Sequence, residues 1–173
     1  MTQFDDFINR NSINFEKLKL EIYSGFLLTV FHGVYNYLEQ KPNKLIFKQT
    51  LFNCCNAAAE AVALRNVIRE VTNVNLTDDE ITQIMKWVKA YLSKSSGRKT
   101  ASEDIKDNII DVQMSRCNIC GKELSAKNSH LDHIVPFKYV GDELDNNYQY
   151  LCSKCNLSKK DNLIFLLKNL KVK

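Results

Sequence analysis

Two Cys-x-x-Cys pairs constrain this chain more than any other feature. Cys117-Asn-Ile-Cys120 is followed by Gly121, and 31 residues then separate it from Cys152-Ser-Lys-Cys155. Two residues between cysteines let the backbone turn around one ion, and a tetrahedral zinc takes four thiolates at about 2.3 Å. The expectation is a structural Zn²⁺ on Cys117, Cys120, Cys152 and Cys155, coordinatively closed and so not catalytic. Such an ion replaces part of the core that a segment of roughly 55 residues struggles to build. The chain opens Met-Thr-Gln-Phe-Asp-Asp, with neither a basic nor an apolar leader region. That opening predicts a cytoplasmic setting, where paired cysteines bind metal more readily than they form disulfides.

The 173 residues are 45% hydrophobic, enough for one ordinary domain or two small units. Residues 1–110 carry 14 basic and 13 acidic side chains, and residues 111–173 carry 10 and 7. Four zinc-bound thiolates would leave the second segment near +1. This tilt suits a polyanion but does not demonstrate one, so nucleic-acid binding has to be argued from a site. The most apolar stretch, Ile22–Leu38, contains Ser24, Thr29, His32 and Asn36. It is shorter and more polar than a membrane span, and a buried helix is expected there, with no membrane partner.

Residues 1–93 have helical periodicity. Phe15, Leu18, Ile22, Phe26 and Thr29-Val30 recur at three- and four-residue steps, and Pro42-Asn43 ends that element. Leu51–Val74 holds the helix-forming run Asn56-Ala-Ala-Ala-Glu60. Cys54-Cys55 lies in an apolar helical context and is expected to be two buried thiols. Thr77-Asp-Asp-Glu80 is a capping box that opens a helix bearing Ile81, Ile84, Trp87, Val88 and Leu92 on one side. The polar, Gly97-containing stretch Ser93–Ser102 is the best linker, and a short helix follows over Glu103–Gln113. The helical region states no function of its own; packing, dimerisation or target positioning suits it.

Between the cysteine pairs lies His130-Leu-Asp132-His133-Ile-Val-Pro136, then Asn147-Tyr-Gln-Tyr-Leu-Cys152, and Asn156 and Lys159 follow Cys155. Asp132 and His133 are neighbours and would face opposite sides of a strand, so a strand must end or bend here for both to serve one site. His130 shares a strand face with Asp132 and is as suited to surface or packing use as to touching substrate. Asp-His alone is a weak signal, and Asn147 and Asn156 alone could be a turn residue and a helix cap.

Over about Arg116–Asn162 the residues resemble the HNH (ββα-metal) endonuclease family. The resemblance rests on Asp-His-Ile-Val-Pro, an asparagine five residues before the third cysteine, and Cys-x-x-Cys-Asn-x-x-Lys. The steps Asp132, Asn147, Asn156 also resemble the HNH domain of CRISPR effector nucleases. Periodicity gives a mostly helical N-terminal domain over 1–101, and the resemblance implies a small zinc-stabilised, treble-clef-like ββα-metal domain over 102–173, so an α+β chain is expected. It implies that His133 is a general base, that Asp132 and Asn156 ligate a catalytic metal, and that Asn147 fixes the loop carrying His133. One carboxylate and one carboxamide form a hard ligand set suited to Mg²⁺ or Mn²⁺. Lys159, on the same helical face as Asn156, would contact phosphate, with His130 beside it. The segment Phe137–Asn146 departs from the commonest family form, which has Gly-Gly where this chain has Gly141-Asp142.

The expected function is metal-dependent hydrolysis of DNA phosphodiesters, in restriction, phage defence or a mobile element. The alternatives are a non-catalytic zinc module binding nucleic acid or protein, and a helical adaptor with a vestigial nuclease tail. A homodimer or a partner protein would use the helical domain.

Overall fold

The computed structural model describes residues 15–95 and 97–163, with side chains described from Leu20 onward. The order of elements is α1 (Phe15–Glu39), α2 (Lys41–Phe52), α3 (Ala57–Thr72), α4 (Asp78–Ser93), α5 (Glu103–Val112), β1 (Ser129–His133), α6 (Phe137–Val140), β2 (Tyr148–Cys152) and α7 (Ser153–Lys159). The architecture is α+β, a helical region followed by one two-stranded antiparallel sheet. No helix among the described residues is long and apolar enough to cross a membrane.

Local chemistry explains most boundaries. Pro42 sits in the first turn of α2, where its missing N–H is not needed and its fixed φ helps the new helix start. Asn56 caps α3 by accepting the Ala59 N–H at 2.9 Å, and Asn73 ends it in the left-handed conformation. Thr77 and Glu80 form the expected capping box of α4. Ser102 caps α5.

Two sequence expectations are corrected. The buried stripe of α1 is Leu27, Leu28, Val30, Phe31, Val34 and Leu38; the expected Val30 lies in it, while Ile22 and Thr29 are exposed and Phe26 is only half-buried. The expected repeat meets the core at Val30 and misses it at Ile22, because a long apolar helix offers more than one stripe at three- and four-residue steps; the side chains of Phe15 and Leu18 lie outside those described. Cys54 and Cys55 fall in the break between α2 and α3 instead of inside a helix, with Cys55 exposed and Cys54 bonded to the Thr50 carbonyl.

Helices α1 to α4 enclose an aromatic-rich core in which Phe31 meets Trp87 edge-on at 5.4 Å and Tyr35 meets Tyr91 at 5.1 Å. The core does not stop at the end of α4. Val135, Tyr139, Val140 and Leu163 belong to it, and Tyr139 of α6 packs on Tyr35 at 4.4 Å. A second, smaller cluster gathers Cys117, Leu124, Leu151, Cys152 and Cys155, with Ile110 of α5 against it.

Within the expected linker, Lys94, Ser95, Arg98 and Lys99 are bound to the second half of the chain. Lys94 Nζ donates to the Lys138 carbonyl at 2.6 Å, and the Ser95 N–H to Glu143 Oε1 at 3.2 Å. The Lys99 N–H donates to Asp142 Oδ2, and Arg98 lies over the Phe137 ring at 5.0 Å. Polar composition signalled an absence of helix but carried no information about these partners.

Candidate active site and metal centre

The four cysteines meet. Cys117 and Cys120 flank a tight turn with Gly121 at φ +70°, closed by the Arg116–Glu123 bridge, and Cys152 and Cys155 sit at the junction of β2 and α7. All four sulfurs lie within 4.8 Å of one another, and Cys120 and Cys152 are 3.8 Å apart. A tetrahedron of Zn–S bonds near 2.3 Å has edges of about 3.8 Å, so the spacing fits one ion. The thiols' environment fits too. Burial raises Cys117, but the backbone N–H groups of Cys120, Cys152 and Ile119 outweigh it and bring its pKa down to about 7. Burial and neighbouring sulfurs push Cys155 up. A divalent cation would relieve that crowding by holding all four as thiolates.

The hairpin carries Asp132, His133 and Asn147 toward the other end of α7. Strand β1 pairs with β2 so that Asp132 faces Gln149 and His133 faces Tyr148, and β1 ends at His133. The two neighbours take different partners there, Asp132 meeting Gln149 and Lys159 while His133 meets Tyr148, Phe137 and Asp142. Asn147 is buried and grips Val135 with both ends of its carboxamide, accepting the N–H at 2.8 Å and donating to the carbonyl at 2.9 Å. Its own carbonyl accepts the Ile134 N–H at 2.9 Å. The loop just after His133 is thereby fixed at three points.

Lys159 is buried, with its ammonium 2.9 Å from Asp132 Oδ2 and donating to the His133 carbonyl at 2.7 Å. Gln149 donates to the same Asp132 oxygen at 3.0 Å. Asn156 lies one turn before Lys159, on the same face of α7, and its carboxamide has no hydrogen-bond partner among the described residues. The second Asp132 oxygen and the Asn156 carboxamide suit a hard cation such as Mg²⁺. His130 is exposed and lies 2.9 Å from the Ser153 hydroxyl, at the zinc end of α7.

The sequence reading missed one group outright. His133 Nε2 is 2.7 Å from Asp142 Oδ1. The same oxygen accepts the Tyr148 hydroxyl at 2.9 Å. Burial works against the Asp142 charge, but the bonds from Lys99, His133 and Tyr148 outweigh it and hold the carboxyl below its ordinary range. The His133 ring lies between Phe137 and Tyr148, at centroid distances of 5.7 and 4.7 Å. Asp142 stands in the loop that departs from the family's commonest form, and that departure was the signal available for it.

Residues 117–166 match the sequence model of the HNH endonuclease family. No curated protein and no solved structure matches the chain at a significant level. A domain of this family points to a nuclease, and hence to a nucleic-acid substrate.

Proposed function

We propose that this HNH unit makes the chain a metal-dependent DNA endonuclease. His133 would be the general base, Asp132 and Asn156 would hold a catalytic Mg²⁺ or Mn²⁺, Asn147 would position the base, and Cys117, Cys120, Cys152 and Cys155 would bind structural zinc. One observation carries the reading: Lys159 of α7 bonds both the Asp132 carboxylate and the His133 carbonyl. This tie holds the helix that bears the carboxamide against the strand end that bears the carboxylate and the imidazole, within the family match.

Hydrolysis of a phosphodiester needs an activated water and neutralised phosphoryl charge. Imidazole suits the first task because it exchanges a proton near neutral pH. A bound divalent cation would supply Lewis-acid charge neutralisation. Lys159, instead of standing out as an exposed phosphate contact, would shape the cation's pocket and add positive charge beside it. His130 is a peripheral substrate contact in this reading. The biological setting that suits a small HNH protein is restriction, phage defence or a mobile element.

The test is incubation of supercoiled plasmid with the purified chain in EDTA, Zn²⁺, Mg²⁺ or Mn²⁺. Nicked or linear products in Mg²⁺ or Mn²⁺, absent in EDTA, are expected. His133→Ala should abolish them while zinc content and circular dichroism are retained. DNA binding without metal-stimulated cutting would favour a non-catalytic zinc module. Full cutting by His133→Ala would remove the base assignment.

A further inference from the structure

We infer that Asp142 is a positioning residue that fixes the tautomer and plane of His133, and that the strap after α4 holds Asp142 in place. This rests on the nuclease reading of the site, but its first readout does not depend on cleavage.

The geometry is closed on every side of the carboxylate. Oδ1 takes His133 Nε2 at 2.7 Å and the Tyr148 hydroxyl at 2.9 Å, while Oδ2 takes the Lys99 backbone N–H. The His133 and Asp142 side chains are only 9% and 2% exposed. An ionised carboxylate accepts and never donates, so the imidazole nitrogen facing it must carry the hydrogen. That leaves Nδ1 as the nitrogen with a free lone pair, and only that nitrogen can take a proton from water. The two flanking rings restrict rotation about the side-chain bond, so plane and tautomer are set together.

The placement of Asp142 comes from the helical half of the chain. Gly141 has φ +63°, and a Cβ there would meet the Cβ of Lys94 at 3.0 Å, so the loop lies hard against the strap. Ser95 bonds Glu143 on one side and Lys94 bonds the Lys138 carbonyl on the other. Lys94, Ser95 and Lys99 therefore clasp the segment 138–143 that supplies the acceptor. In the reaction, the water proton moves to Nδ1, the new P–O bond forms from that water oxygen, and the P–O3′ bond breaks with its electron pair leaving on O3′, which takes a proton from solvent. The Nε2 proton stays on the ring, and Asp142 stays ionised opposite the imidazolium.

An Asp142→Asn variant separates this role from simple packing. The Lys99 N–H needs an oxygen opposite it, so the carboxamide should turn its oxygen there and present its NH₂ to His133. The ring would then accept at Nε2 and carry its hydrogen on Nδ1. Histidine ¹⁵N spectra of the full chain at pH 8, with the zinc bound and no Mg²⁺ added, should show His133 protonated at Nε2 in the wild type and at Nδ1 in Asp142→Asn. Plasmid nicking by Asp142→Asn should lose at least 100-fold in kcat, with KM within about twofold. A wild-type ring protonated at Nδ1 would overturn the inference even if the variants fail to fold. So would Asp142→Asn cutting at the wild-type rate. A wild type that cuts no DNA would sink the nuclease reading, leaving the tautomer result to decide the dyad.

Discussion

Lys159 Nζ lies 2.9 Å from Asp132 Oδ2, and the pair is largely shielded, with side chains 6% and 18% exposed. An ammonium removed from water is tolerated because Asp132 and the His133 carbonyl both accept from it. Lys159→Met keeps the length and apolar stem but leaves the carboxylate without its partner. The expected cost is about 3 kcal/mol, the lower end for breaking a buried pair, because Asp132 keeps Gln149 and some solvent. Urea unfolding of the zinc-loaded chain measures it. A cost under about 1 kcal/mol would mean that the tie does not hold α7 to the hairpin.

Asn147→Ala should be damaging out of proportion to its size. It removes a donor and an acceptor that answer Val135 in a buried place, at a cost of about 2–3 kcal/mol. Because the loop it fixes begins at His133, nicking should fall by about 10–100-fold even where the protein is fully folded. Activity at the wild-type level in a folded Asn147→Ala chain would refute the positioning role.

Metal removal should act on the small cluster of Leu124, Leu151 and the cysteines before it acts on the helices. One zinc per chain is expected from metal analysis. Cys155→Ser should lose it, because the buried cysteine at the start of α7 ties that helix to the site. Retention of stoichiometric zinc by Cys155→Ser would show that the four sulfurs do not share one ion.

The Asp142 carboxyl has its folded pKa below the ordinary value of 3.8. Its charge therefore stabilises the fold fully above the ordinary value, and the benefit fades as pH falls through the lowered one. The gap in urea midpoint between wild type and Asp142→Asn should be present at pH 5 and shrink below about pH 4. A gap that widened on acidification would contradict the depressed value.

What could be read from the sequence was local. Thr77 with Glu80 and the two cysteine pairs are short-range patterns whose chemistry is complete within a few residues, and each occurs as read. The four sulfurs converge because two such turns bracket a single hairpin. Lys159 illustrates what could not be read. Its place on the Asn156 face of α7 was legible, but whether that face is wet or buried depends on the hairpin folding back over it. Asp142 lies nine residues from His133 through a loop of no regular pattern, and its third bond comes from Lys99, 43 residues earlier. Phase along α1 was only partly legible for a related reason, since Ile22 is as apolar as Leu27 and only the packed neighbours distinguish them.

Val135, Tyr139 and Val140 point into the helices, although they belong to the hairpin loop of the half that carries the four-cysteine cluster. A piece cut at Ser102 would turn those side chains to water, and the helices alone would be left with an open seam where Tyr139 had packed. The zinc could still knot the far end of such a fragment, yet the end bearing His133 would lose its floor. The segments expected as two units thus share one core through Val135, Tyr139 and Val140. A mutation deep among α1 to α4 should therefore be felt at the loop that follows His133.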